Sequence, residues 1–308
     1  NFKDGAIVTD VAGIKGTLIK ELDDNFTRIG KIYELNKNIK GLDNLDYDKE
    51  GKLVNFLYGN VIGRFIIKFL SLPFISKLIG LFLSSRFSKL FIKPFIKKNN
   101  IDMSIYEDVK YKSFNSFFVR KKKQIDFIKD KNVFISPCDA KLTIYDVNEY
   151  SCFEIKNSFY SVRDLLNEDE IYKDYIDGKA LVFRLCKDDY HRYHYVDDGS
   201  QGNNYFVKGV LNTVRPIAYR KCKVFKRNSR EYTTLHTKNF GDIVEVEVGA
   251  TLVGKIKNKH DNYEFKKGEE KGMFLFGGST IVLLIKKDVI DIDKDILNNS
   301  VRNIETRV

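Results

Sequence analysis

The chain has 308 residues, of which 43% are hydrophobic and 13% aromatic, with only four prolines and a formal charge of +11. This is enough apolar matter to bury a core, and it excludes disordered, collagen-like and low-complexity classes. The charge is uneven: residues 1–50 hold 8 basic and 10 acidic side chains, residues 51–101 hold 9 and none, and residues 102–308 hold 36 and 32.

In chain order, Ile14, Leu18, Leu22, Phe26, Ile29 and Tyr33 recur at three- and four-residue steps and predict an amphipathic helix over 14–33. Residues 36–51 are polar and read as a linker. The acid-free window that follows, 53–98, is rich in Phe, Leu and Ile. Near its centre the longest uncharged stretches, Phe69–Ser76 and Leu78–Ser85, have eight residues each, whereas a membrane-spanning helix needs about 20. Pro73 and Pro94 divide the window into short helices, with one ending near Phe95. Arg86, Lys89 and Lys93 fall on one side at helical spacing, and Phe87, Phe91 and Phe95 mostly on the other. Such a face suits an anionic interface, with cations at the headgroups and apolar side chains below them. The same pattern also fits a helical hairpin packed on its own domain with a solvated basic face.

Beyond residue 130 short β-type runs alternate with turns. Ala180–Leu185 (ALVFRL), Asp242–Val248 (DIVEVEV) and Thr280–Ile285 (TIVLLI) are predicted strands. In DIVEVEV the period of two puts Val244, Val246 and Val248 on one face and Glu245 and Glu247 on the other, which predicts a half-buried strand. TIVLLI has no polar face and should lie centrally, covered on both sides. The fold class is therefore α+β: basic amphipathic helices, then a mostly antiparallel β-sandwich or barrel. The four cysteines form no metal or redox spacing, and reduced thiols in a cytosolic setting are the simplest reading.

Three stretches of the β-rich part could carry chemistry. Ser136–Ala140 (SPCDA) presents Asp139 after a proline. Asp189–His194 (DYHRYH) holds two of the four histidines, and Phe276–Thr280 (FGGST) precedes the buried strand. Histidines three apart can share one side of a helical turn, but no third ligand follows at a familiar spacing, so no metal site is expected. Gly277-Gly278-Ser279 alone reads as a turn. It is neither a nucleophile elbow nor a phosphate-binding loop. Asp, His and Ser form a base-and-nucleophile system wherever a fold assembles them.

These stretches, in this order, resemble phosphatidylserine decarboxylases: SPCDAK (136–141) its aspartate motif, DYHRYH its histidine motif, and Gly278-Ser279-Thr280 its self-cleavage motif. SFNSFFVRK (113–121), VGATLVGKI (248–256) and KGE (267–269) add to the match. The resemblance runs from about Leu53 to the C-terminus, and residues 1–50 match no part of it. Ala140 stands where the family usually has Gly, and Gly277 where relatives often have Leu.

The resemblance implies that His194, supported by Asp139, takes the proton of Ser279, which attacks the carbonyl of Gly278. Cleavage between Gly278 and Ser279 would give a large subunit, 1–278, and a small one, 279–308, retained through its interior strand. Ser279 would become a covalent pyruvoyl group. Through a Schiff base to it, phosphatidylserine would lose CO2 and give phosphatidylethanolamine, with His191 assisting decarboxylation or reprotonation. The implied domains are an N-terminal extension (1–50), a helical membrane-docking region (51–112) and a catalytic domain (113–308). Arg64, Lys68, Lys77, Arg86, Lys89 and Lys93 would dock the protein peripherally on anionic membrane at the cytoplasmic face. A homodimer is compatible with this reading, and nucleic acid is not an expected partner. The competing readings are a Ser-His-Asp hydrolase and a basic binding module, both of which would leave the chain whole.

Overall fold

The computed structural model describes residues 73–149, 151–155, 158–167, 170–209, 228–249, 255–275, 279–302 and 304–308. The predicted helix over 14–33, the linker over 36–51, and Arg64, Lys68, Gly277 and Gly278 lie outside the described residues.

Helix α1 spans Pro73–Ser84 and opens on its proline, whose missing N–H costs nothing at a first position. A 3-10 helix follows over Arg86–Phe91, then α2 over Ile92–Asn99. Pro94 does not end a helix, as the sequence suggested. It sits in the first turn of α2, where backbone N–H groups lack partners anyway. The tighter 3-10 turn also changes the phase of the aromatics. Phe95 turns inward, edge-on to Phe114 at 5.1 Å and Phe117 at 6.0 Å. Phe87 and Leu90 point to solvent, 77% and 78% exposed.

Phe114 and Phe117 belong to α3, Phe114–Phe118, which is held by a reciprocal cap between Ser113 and Ser116. Phe114, Phe117 and Phe118 are buried and gather Leu83, Ile92, Phe95 and Ile96 of the helical segment around them. The preceding helices thus rest on α3.

Fourteen strands, β1 to β14, follow among the described residues. The four that frame the site are β1 (Lys141–Asp146), β4 (Lys179–Leu185), β9 (Gly241–Val248) and β13 (Ser279–Ile285). They belong to a nine-stranded antiparallel sheet ordered β11-β6-β8-β9-β13-β4-β1-β14, with β7 also on β8. Here β6 is Gly199–Gln201, β7 Tyr205–Val207, β8 Arg230–Thr237, β11 Tyr263–Phe265 and β14 Thr306–Arg307. Strands β11 and β14 end it at opposite edges, so the sheet is open rather than a closed barrel. As expected of a strand without a polar face, β13 is central and buried throughout.

One face of the sheet, with Val244, Val246, Val248, Val282 and Leu284, is covered by the hairpin β2–β3 (Cys152–Ile155, Ser158–Ser161) and α4 (Val162–Leu165). On the other face, Ile281, Leu283 and Ile285 meet Tyr193, Ile256 and Phe274 of a small three-stranded sheet. This sheet is ordered β10-β12-β5 (Ile256–Asn258, Glu270–Phe274, Arg192–His194). Ile296 and Leu297 of α5 (Lys294–Val301) pack at the same level. The result is sandwich-like. It corrects one expectation: β9 is not half-buried. Glu245 and Glu247 are both fully buried, because the small sheet closes over their face and supplies Lys271.

Candidate active site

Strand register brings the three chemical stretches to one end of the large sheet. Ser279, the first residue of β13, lies opposite Leu185, the last of β4. Lys141, which opens β1, lies opposite Arg184. Ser279 and the aspartate segment are therefore two strand spacings apart, about 10 Å. The histidine segment leaves β4 at this same end.

A closed turn launches that segment. The Cys186 N–H donates to Asp189 Oδ2 at 2.6 Å, and the Asp189 N–H donates back to the Cys186 carbonyl at 3.1 Å. Arg307 donates to Asp189 Oδ1 at 2.7 Å. The buried Arg120 donates to the carbonyls of Asp188 and Asp189 at 2.6 and 3.2 Å.

The two histidines do not share one side of a helical turn, because the segment enters a strand. His191 precedes β5, is fully buried, and lies 3.9 Å, centroid to centroid, from Phe118. Its Nδ1 is 2.8 Å from the Asp189 carbonyl, which can only accept, so Nδ1 carries the proton. His194 ends β5 and stacks on Tyr190 at 5.9 Å. Burial depresses its pKa to about 4 despite the carboxylates of Glu270 and Asp139, so the imidazole is neutral at pH 7 and available as a base.

The His194 N–H donates to the Pro137 carbonyl at 2.8 Å, which ties the histidine segment to the aspartate segment. Asp139 itself is bound through both oxygens by Lys122, at 2.9 and 2.7 Å. Asp139, His194, Tyr190 and Lys122 line one cleft of about 340 Å³, whose other walls include Phe127, Phe134 and Val308. Ala140, in place of the family's glycine, exchanges both backbone hydrogen bonds with Val308 and is not among the residues with positive φ, so a methyl group is accommodated.

Ser279 is fully buried and projects, by strand alternation, from the face that the small sheet covers. Among the described residues its Oγ has no hydrogen-bond partner. Asp139 and His194 thus share the cleft, while Ser279, at the head of the central strand, is not among the residues that line it. The sequence reading missed Lys122, Tyr190, Arg120 and Arg307. Arg120 had a signal, a lone arginine closing an aromatic run in SFFVR. The pairing of Arg307 with Asp189 spans 118 residues and had none. Among the described residues no cluster of His, Cys, Asp or Glu is arranged to hold a metal ion.

Comparison with known proteins bears on this arrangement. The family model "Phosphatidylserine decarboxylase" matches residues 114–304. The chain is 46% identical over 274 residues to "Phosphatidylserine decarboxylase proenzyme 2" of Clostridium acetobutylicum, covering 87% of this chain and 94% of that one. It is 44% identical over 277 residues to a phosphatidylserine decarboxylase proenzyme of Clostridium botulinum, strain Hall, covering 86% and 94%. With the proenzyme of Clostridium tetani the figures are 40% over 266 residues, covering 83% and 89%.

Proposed function

The chain belongs to the phosphatidylserine decarboxylase family, and from that premise we propose that it matures by cutting itself at Ser279 and then acts through the group left there. Its reaction converts phosphatidylserine to phosphatidylethanolamine and CO2.

The observation that carries the self-cleavage reading is the Ser279 hydroxyl, buried and without a hydrogen-bond partner among the described residues. Keeping such a donor costs about 1–3 kcal/mol. A serine kept for structure has no reason to bear that cost, and conversion to a keto group removes the donor. A pyruvoyl group fits this position.

The steps follow from the residues at hand. Neutral His194 accepts the hydroxyl proton, and Ser279 Oγ bonds to the Gly278 carbonyl carbon. The peptide C–N bond breaks, leaving an ester and a free amine. Loss of the Ser279 α-proton then breaks the Cβ–Oγ bond and releases Gly278 as a carboxylate. The dehydroalanine that remains takes up water and loses ammonia. Asp139 stabilises the imidazolium across the cleft, and Lys122 fixes where its carboxylate lies. The pyruvoyl carbonyl supplies an electrophile for the substrate amine and a sink for the electrons released with CO2. His191, fixed by its Nδ1 hydrogen bond, is the proton carrier assigned to that later stage.

A substrate that lies in a bilayer also calls for docking. Among the described residues no helix is long and apolar enough to cross a membrane. The helical segment instead exposes Leu81, Phe82, Phe87, Leu90 and Phe91 beside Arg86, Lys89 and Lys93, with no acid between Gly51 and Ile101. These cations, with Arg64, Lys68 and Lys77, form the proposed contact with anionic lipid.

Denaturing mass spectrometry, before and after a carbonyl-trapping reagent, tests the central step. The expected products are residues 1–278 and a 279–308 fragment that lacks a free amino terminus and gains the mass of the trap. An active sample with an intact chain and an unmodified Ser279 overturns the reading.

A further inference from the structure

The inner face of the large sheet carries a second polar group, one the decarboxylation chemistry does not use. Glu245 and Glu247 of β9 and Lys271 of β12 are completely buried. The Lys271 ammonium donates to Glu247 Oε1 and lies 3.8 Å from Glu245. It also donates to Asn258 Oδ1 at 3.1 Å, and the Tyr193 hydroxyl donates to the same oxygen at 2.9 Å. Asn258 Nδ2 donates to Glu231 Oε2 at 2.9 Å. Each strand of the small sheet therefore contributes one group: Tyr193 from β5, Asn258 from β10 and Lys271 from β12. The large sheet answers with Glu231 from β8 and the two glutamates of β9.

Local backbone explains how a lysine comes to point inward. On β12, Glu270 pairs with His194 and Gly272 with Tyr193, so Lys271 is the extra residue of a bulge. A bulge re-aims the side chain it carries. Gly272 completes the arrangement, because a Cβ there would lie 2.5 Å from the Tyr193 hydroxyl.

The position of the cluster gives it a role. Glu247 lies opposite Ile281 on β13, and Thr280 lies opposite Val248. Ser279 is then a diagonal neighbour of Glu247 on the same face, about 7 Å away. On the other side, Lys271 and Tyr193 are the chain neighbours of the Glu270–His194 pair. The cluster links the strand that carries the base to β9, the strand paired with the one headed by the nucleophile. Buried ion pairs contribute little net stability compared with apolar packing, and their best-attested use is to fix registry.

We infer that Lys271, Glu247 and Glu245 are positioning residues: they pin the His194-bearing sheet over the head of β13, and loosening the pin slows self-cleavage beyond any effect on stability. The inference rests on the self-cleavage reading above.

The test translates the full chain in a cell-free system and follows the cut fraction over time by denaturing electrophoresis. Thermal unfolding is measured in a Ser279→Ala background, so that uncut chains are compared. The variant is Lys271→Met with Glu247→Leu, which replaces the pair by apolar volume. The expected result is a melting temperature near the parent's, with cleavage slowed tenfold or more, as about 1 Å of misplacement costs. Cleavage at the parental rate overturns the inference. If the double variant does not fold, Glu247→Gln decides, since it keeps the volume and removes the charge that holds the ammonium. That variant lowers the melting temperature, because it leaves the buried ammonium short of a partner, so its cut fraction is followed well below that temperature: several-fold slower cleavage there supports the pin, and an unchanged rate overturns it. A parent chain that stays whole would instead overturn the reading of Ser279, so the two failures are told apart.

Discussion

The two faces of the central sheet are built on opposite principles. One is wholly apolar at its centre: Val244, Val246, Val248, Val282 and Leu284 meet a hairpin and a short helix. The other, one residue out of phase on the same strands, holds Glu245, Glu247 and Ser279 within the same degree of burial. Hydrophobic burial contributes stability in proportion to area removed from water, and unpaired buried polar groups subtract from it. Both faces are core, since the second also buries Ile281, Leu283 and Ile285 against Tyr193, Ile256 and Phe274; what sets the first apart is that no charged side chain interrupts it. The second adds to its apolar core the groups proposed for cutting and positioning, and burying them subtracts from stability.

Substitutions can break this contrast. Ser279→Ala has the largest expected effect: no cutting and no decarboxylation, read by electrophoresis and by CO2 release, with a melting temperature equal to or above the parent's. On the apolar face, Leu284→Ala should cost about 2–5 kcal/mol in denaturant unfolding while chains that fold still cut themselves. If Leu284→Ala abolished cutting in fully folded protein, the division of labour between the faces would be wrong.

His194 sharpens the contrast through pH. Its pKa is depressed from an ordinary value near 6.5 to about 4 by burial. The unfolded chain therefore binds the proton more readily. The stability that comes from keeping His194 neutral is complete above about pH 6.5 and is lost as pH falls towards 4. The loss is up to roughly 3 kcal/mol. Unfolding measured across that window should show the slope, and His194→Gln should flatten it while leaving the chain uncut. The cutting rate should hold down to about pH 5, since the base stays neutral there. Smallest per residue is the helical segment, which belongs to neither face. Changing Arg86, Lys89 or Lys93 to Glu should weaken binding to anionic vesicles by about 1–2 kcal/mol per site, the attraction of about 1 kcal/mol being lost and a repulsion added, without altering cutting. Vesicle binding that is indifferent to all three reversals would remove the docking surface.

How much of this was legible depended on the range of the interaction. The strands ALVFRL, DIVEVEV and TIVLLI announced themselves through local periodicity, and the central place of β13 followed from its lack of a polar side. The aspartate, histidine and serine stretches were legible as motifs. Their convergence was not, because it comes from the pairing of Ser279 with Leu185 and of Lys141 with Arg184. The alternation in DIVEVEV was read correctly as two faces. Which face met water could not be read, since the cover over Glu245 and Glu247 is a lysine turned inward by a bulge in another strand. Pro94 misled for a related reason: a proline reads the same inside a first turn as past a last one until the neighbouring 3-10 helix fixes the start of α2.

The place of β13 between β9 and β4 has a temporal consequence. Its flanking strands are synthesised earlier, and β14, from the same C-terminal stretch, reaches back to β1. Translation must pass β13 before Ser279 can take its place at the head of the sheet between those strands. The scission proposed here would then act as a receipt for completed folding: truncated or misassembled chains stay inert, and only a chain that has closed its sheet arms itself.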